Sequence, residues 1–79
     1  MKVLYLATTG AGDATKASLP LHLAANGSVE IGQDCAVVLA GDATELVSRE
    51  TAEQVEGVGV PPVLELLQKL LDHEVPVYV

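Results

Sequence analysis

No Phe and no Trp occur in this chain, and only two Tyr do. Aromatic rings usually bring the largest single areas to a core, so the core here must be built from Val, Leu, Ile and Ala. Cysteine is nearly absent as well: Cys35 stands alone, which excludes an internal disulfide and suits a reducing cytoplasm. Basic residues are scarce, with Lys2, Lys16, Arg49 and Lys69 set against 11 acidic ones, for a net charge of −7. A phosphate backbone needs a basic stripe, so no nucleic-acid partner is expected. An anionic membrane surface would repel the chain for the same reason. Long hydrophobic runs are missing too. The apolar stretch after Met1 reaches Gly10 within a few residues, too short for a signal peptide or a membrane span. A buried first strand accounts for it.

What is present is aliphatic surface. Of 79 residues, 49% are hydrophobic, and the mean hydropathy is positive. The length allows one domain. A domain this short buries only about 60% of its unfolded surface, so some apolar area is expected to pack against another copy or a partner.

Val3 to Thr8 is a short apolar run broken by Gly10, Gly12 and Asp13, which reads as a strand buried on both faces. Asp13 is placed to cap a helix over Ala14 to Asn26. Pro20 is the misfit there: it either kinks that helix or belongs to the first turn of one starting near Ser18. The helix stops at Gly27 or runs on through Val29 and Ile31 to Gly32. Cys35 to Ala40 is the second buried strand, ended by Gly41 and Asp42. Ala43 to Val55 is weakly amphipathic and open to interruption, and Gly57 to Pro62 is a loop. The clearest element is a helix over Val63 to Asp72. Val63, Leu64, Leu66, Leu67, Leu70 and Leu71 form one broad apolar stripe, Pro62 precedes it in first-turn fashion, and Glu65 and Lys69 are spaced for an ion pair. Val75 to Val79 is a third strand with Pro76 near its start. The order strand, helix, strand, helix, helix, strand predicts an α/β fold on a parallel sheet. The chain ends inside an apolar strand, so it reads as the N-terminal portion of a longer domain.

Open parallel sheets bind ligands beyond the carboxyl ends of their strands. Thr8, Thr9 and Gly10 after the first strand, with Gly41 and Asp42 after the second, are therefore the candidate ligand-binding residues. The segment Thr8 to Lys16 stands where a phosphate loop would, but it matches neither the nucleotide-binding Gly-Lys-Ser/Thr pattern nor the dinucleotide fingerprint. A tight strand-to-helix turn is the plainer reading, and capping of the next helix is the plainer role for Asp42. Cys35 begins a buried strand, the wrong end of a sheet for chemistry, with no His near it in sequence. His22 and His73 are the only imidazoles, and neither a second Cys nor a further His completes a metal set. No metal, no cofactor and no catalytic residue is expected within these residues.

Five stretches together resemble the DsrE/DsrF-like family of sulfur-relay and sulfur-oxidation-associated proteins. They are the first strand running into Thr8-Thr9-Gly10, Leu21 to Gly27, Val37 to Leu46, Gly59 to Pro62, and Val75 to Val79. The resemblance runs along essentially the whole chain. It implies a flavodoxin-like three-layer fold and homo- or hetero-oligomers, often trimers or hexamers, with sulfur-relay partners. It also implies persulfide sulfur carried on a cysteine just after the third strand. That position lies beyond Val79, and Cys35 does not occupy it. A sulfur carrier in its full-length form is thus the first functional expectation. A small-ligand, nucleotide or anion-binding module at the two loops is the second, and a non-catalytic oligomeric scaffold the third.

Overall fold

The computed structural model describes residues 2–79. It is a mixed α/β structure with a three-stranded parallel sheet, compatible with a flavodoxin-like fold. Strands β1 (Val3–Ala7), β2 (Cys35–Leu39) and β3 (Val77–Tyr78) lie in the order β1-β2-β3. Val3 pairs with Cys35 and Ala7 with Leu39, while Val37 pairs with Val77. Helix α1 (Ala14–Leu23) and helix α3 (Val63–Asp72) make the two main connections, and the short α2 (Arg49–Gln54) lies between β2 and α3.

Right-handed crossovers are the rule for parallel strands. When two successive crossovers advance the same way across a sheet, their helices fall on the same face. That is the arrangement here. Val3, Tyr5, Ala7, Cys35, Val37, Leu39 and Val77 point into one cluster with Leu21 of α1 and Leu66 and Leu70 of α3. The opposite face carries Leu4, Leu6, Val38 and Tyr78, and among the described residues no helix covers it. Leu4 and Leu6 are 63% and 60% exposed. The expectation that the first strand is buried on both faces is therefore corrected: β1 is covered on one face only, whereas central β2 is buried at four of its five positions.

Helix α1 begins at Ala14 with Asp13 as its cap, its carboxylate accepting from the Lys16 N–H at 3.1 Å. Pro20 lies inside this helix, where its missing N–H leaves the Lys16 carbonyl without its helical donor. The chain then widens into a π-helical turn over Ala24–Ser28, with Val29 N–H bonded to the Ala24 carbonyl at 3.0 Å. So the helical path continues past Gly27 and closes near Gly32, whose φ is +70°. Ser28, buried at the end of this turn, is satisfied twice. Tyr5 Oη donates to its Oγ at 2.7 Å, and that Oγ donates to Gln33 Oε1 at 2.8 Å.

The segment after β2 is interrupted. A 3-10 helix spans Gly41–Val47, Ser48 is extended, and α2 follows. Helix α3 has the expected bounds, with Val63, Leu66 and Leu70 buried and Pro62 at the capping position. The third strand is shorter than expected: only Val77 and Tyr78 pair as a strand, although the Pro76 carbonyl accepts from Val37 N–H at 2.9 Å.

The expected Glu65–Lys69 ion pair does not form. Lys69 Nζ turns instead to Glu30 and to Asn26 Oδ1 (2.7 Å), both near the π-helical turn. Two acceptors in a partly covered site hold the ammonium better than one exposed carboxylate on the same helix. Asn26 in turn donates to His22 Nδ1 at 3.1 Å. The Lys69 hydrogen bond and then its charge hold the Glu30 carboxylate below the usual carboxylate range; desolvation opposes them, and the charge of His73 adds a lesser lowering. A depressed carboxylate stabilises the fold above its unfolded value, near 4.5, and that contribution disappears as pH falls through the lower folded value. Thermal melts of wild type and Glu30→Gln should therefore differ at neutral pH and converge in acid. A constant difference across that range would refute the assignment.

Candidate functional site

The carboxyl ends of β1 and β2 lie side by side, joined by the Ala40 N–H to the Ala7 carbonyl at 2.9 Å. The expected residues converge there. Gly41, with φ +58°, turns the chain directly after β2 beside the Thr8 carbonyl. Gly10 sits against the Asp42 carbonyl and the Glu45 carboxylate, in a space with no room for a Cβ. Thr9 extends from the same loop as Thr8 and Gly10.

Two features differ from the reading of the residues alone. Asp42 makes no capping hydrogen bond. It lies inside the first turn of the 3-10 helix, where its charge still suits the N-terminal end, and Ala40 is the capping position. The hydroxyl of Thr44 donates to the Gly41 carbonyl at 2.9 Å instead. The second feature is Glu45. Its Oε1 accepts from the Ala11 N–H at 2.5 Å, across 34 residues of chain. The loop after β1 thus has a resident carboxylate from the loop after β2. No local signal in the sequence marks Glu45, because its partner is a backbone group on a distant turn. A further loop closes over the start of α1: Val58 N–H donates to Thr15 Oγ1 at 3.0 Å, and Gly57 lies against the Thr15 backbone.

The carboxyl ends of β2 and β3 bound a different kind of space. Leu39, Val47, Leu67, Leu71, Val77 and Val79 line an apolar recess of about 210 Å³. No charged side chain lines it. Leu39 and Val77 come from the sheet, Leu67 and Leu71 from α3, and Val47 from the 3-10 helix.

Cys35 lies at the other end of the molecule. It is 3% exposed and starts β2 at the amino edge of the sheet. A cleft of about 410 Å³ at that edge is bounded by Gln33, Asp34, Cys35, His73 and Glu74, among others. His73 ends α3, its N–H bonded to the Lys69 carbonyl at 3.1 Å, and Glu74 follows with a φ of +58°. Among the described residues no group of His, Cys, Asp and Glu is arranged to hold a metal ion. No helix among them is long and apolar enough to cross a membrane.

No curated protein and no solved structure is similar enough to this chain to count as a match. The model of the DsrE/DsrF-like family matches residues 1–79, over the same stretches that carry the resemblance in the sequence. The chain therefore belongs to the DsrE/DsrF-like family.

Proposed function

We propose that this chain forms the scaffold of a cysteine-based sulfur carrier, with the sulfur borne at the carboxyl end of β3 and not on Cys35. The observation that carries this reading is the apolar recess of about 210 Å³ beside that strand end. A persulfide is a polarizable, weakly solvated group that water and oxidants attack. An aliphatic pocket shelters it while leaving its outer sulfur open to a partner thiol. The family resemblance implies a carrier thiol just after the third strand, which would put it next to Val79. Cys35 is excluded by burial, since a thiol must reach its sulfur donor as an exposed thiolate. A carrier thiol of this kind suits a reducing compartment such as the cytoplasm, where thiols stay unoxidised.

Loading is a simple exchange. The thiolate attacks the outer sulfur of a low-molecular-weight persulfide, a new S–S bond forms, and the donor leaves as its thiol. No oxidant is consumed. Intact-mass measurement after such loading tests the reading. Folded wild type is expected to gain no sulfur. A Val79→Cys variant, which sets a thiol at the mouth of the recess, is expected to gain one sulfur atom at that position. Sulfur on Cys35 of the folded wild type, or none on the variant, would overturn it.

A further inference from the structure

The recess has one wall that is not built from a strand or an α-helix before the final residue. Leu39 and Val77 are fixed in the sheet, and Leu67 and Leu71 in the ten-residue α3. Val47 is the last residue of a 3-10 helix, followed at once by the extended Ser48. A 3-10 helix has poorer hydrogen-bond geometry than an α-helix and relies on its surroundings. This one has an apolar anchor in Ala43 and Leu46, both fully buried. Its side-chain tie to the rest of the sheet edge is the hydrogen bond from Ala11 N–H to Glu45 Oε1 at 2.5 Å.

We infer that Glu45 is a positioning residue for the sulfur site: by fastening the 3-10 helix to the turn after β1, it holds the half-exposed Val47 at the rim of the recess and limits how far the recess opens to water. This rests on the reading of the recess as the sulfur shelter, and it assigns control of that shelter to a residue outside it. The geometry is specific. Glu45 and Val47 lie two positions apart on the same short helix, with the Ser48 N–H bonded back to the Glu45 carbonyl at 3.2 Å. A loosened Glu45 therefore frees the turn that presents Val47. The fit of Gly10 against the same carboxylate shows that the turn after β1 is shaped to receive it. A hydrogen bond to an ionised acceptor is stronger than a neutral one, and it suits a fastening between two exposed loops.

Two measurements test this. In the Val79→Cys chain, Glu45→Ala is expected to shorten the persulfide lifetime several-fold. Glu45→Gln, whose amide oxygen still accepts from Ala11, is expected to retain most of it. In a Val58→Cys chain, with the thiol on an exposed loop outside the recess lining, Glu45→Ala should change nothing. Equal shortening at both positions would show general loosening and overturn the assignment. The second measurement needs no sulfur. Amide hydrogen exchange at Ala43 and Ser48 should speed up in Glu45→Ala and much less in Glu45→Gln. Unchanged exchange in Glu45→Ala refutes the fastening itself. Faster exchange without any extra protection at position 79 upholds the fastening and refutes the sulfur shelter.

Discussion

Replacing Leu70 with alanine is expected to lower the free energy of unfolding by about 2–5 kcal/mol, while the same change at Leu71 should alter it by less than about 0.5 kcal/mol. The two residues are adjacent in sequence and identical in chemistry. Leu70 is fully buried among the α3 and sheet side chains, whereas Leu71 is 66% exposed. Truncating Leu70 removes apolar area from a closed site and leaves a cavity that the neighbouring β2 and α1 side chains fill only in part. A chain of 79 residues has a total stability of about 4–12 kcal/mol, so the Leu70 variant loses a large share of it. Urea unfolding followed by circular dichroism reads both values. Equal effects at the two positions would mean that α3 is rotated about its axis from the orientation described.

Gly10→Ala is expected to cost about 1–3 kcal/mol, the range for forcing an added methyl into a packed site. The new Cβ meets the Asp42 carbonyl as well as the Glu45 carboxylate. The carboxylate is the end of a flexible side chain and can move, but the carbonyl belongs to the 3-10 helix and cannot move alone. Adding Glu45→Ala to Gly10→Ala should therefore recover only part of the loss. Full recovery would show that the side chain alone closes the space. No loss in Gly10→Ala would show that the two loops do not approach as described. The double-mutant comparison is needed because residues in direct contact do not act additively.

Much of the architecture was legible in the sequence because it depends on local pattern. The apolar stripe from Val63 to Leu71 marks α3 at both ends, and the run Cys35 to Leu39 marks the central strand. Asp13 reads as a helix cap and acts as one. The buried, unpaired state of Cys35 also follows from its place at the head of that strand. The features that escaped depend on what the chain meets elsewhere. Exposure of Leu4 and Leu6 follows from both crossovers falling on one side of the sheet, which no property of the first strand reveals. Lys69 leaves Glu65 for Glu30, 39 residues away, because the π-helical turn brings a second acceptor beside it. That turn itself follows Pro20, whose place in the pattern left open a kink or a later helix start, and which the structure holds inside α1. At the candidate site, the convergence of Thr8, Gly10, Gly41 and Asp42 was legible from the rule for strand ends. The carboxylate that occupies it was not, since Glu45 reaches a backbone N–H with no side-chain signature.

The lifetime of a persulfide at the carboxyl end of β3 tests the proposed sulfur site most directly. The Val79→Cys and Val58→Cys chains are loaded with the same low-molecular-weight persulfide and followed by intact mass in aerated buffer. Val58 is exposed on a loop and takes no part in the recess, so it reports the decay of an unsheltered persulfide. The account predicts that the sulfur at position 79 outlasts the sulfur at position 58 several-fold, with Cys35 unmodified in both. Equal decay at the two positions, or sulfur found on Cys35 in the folded chain, would contradict it.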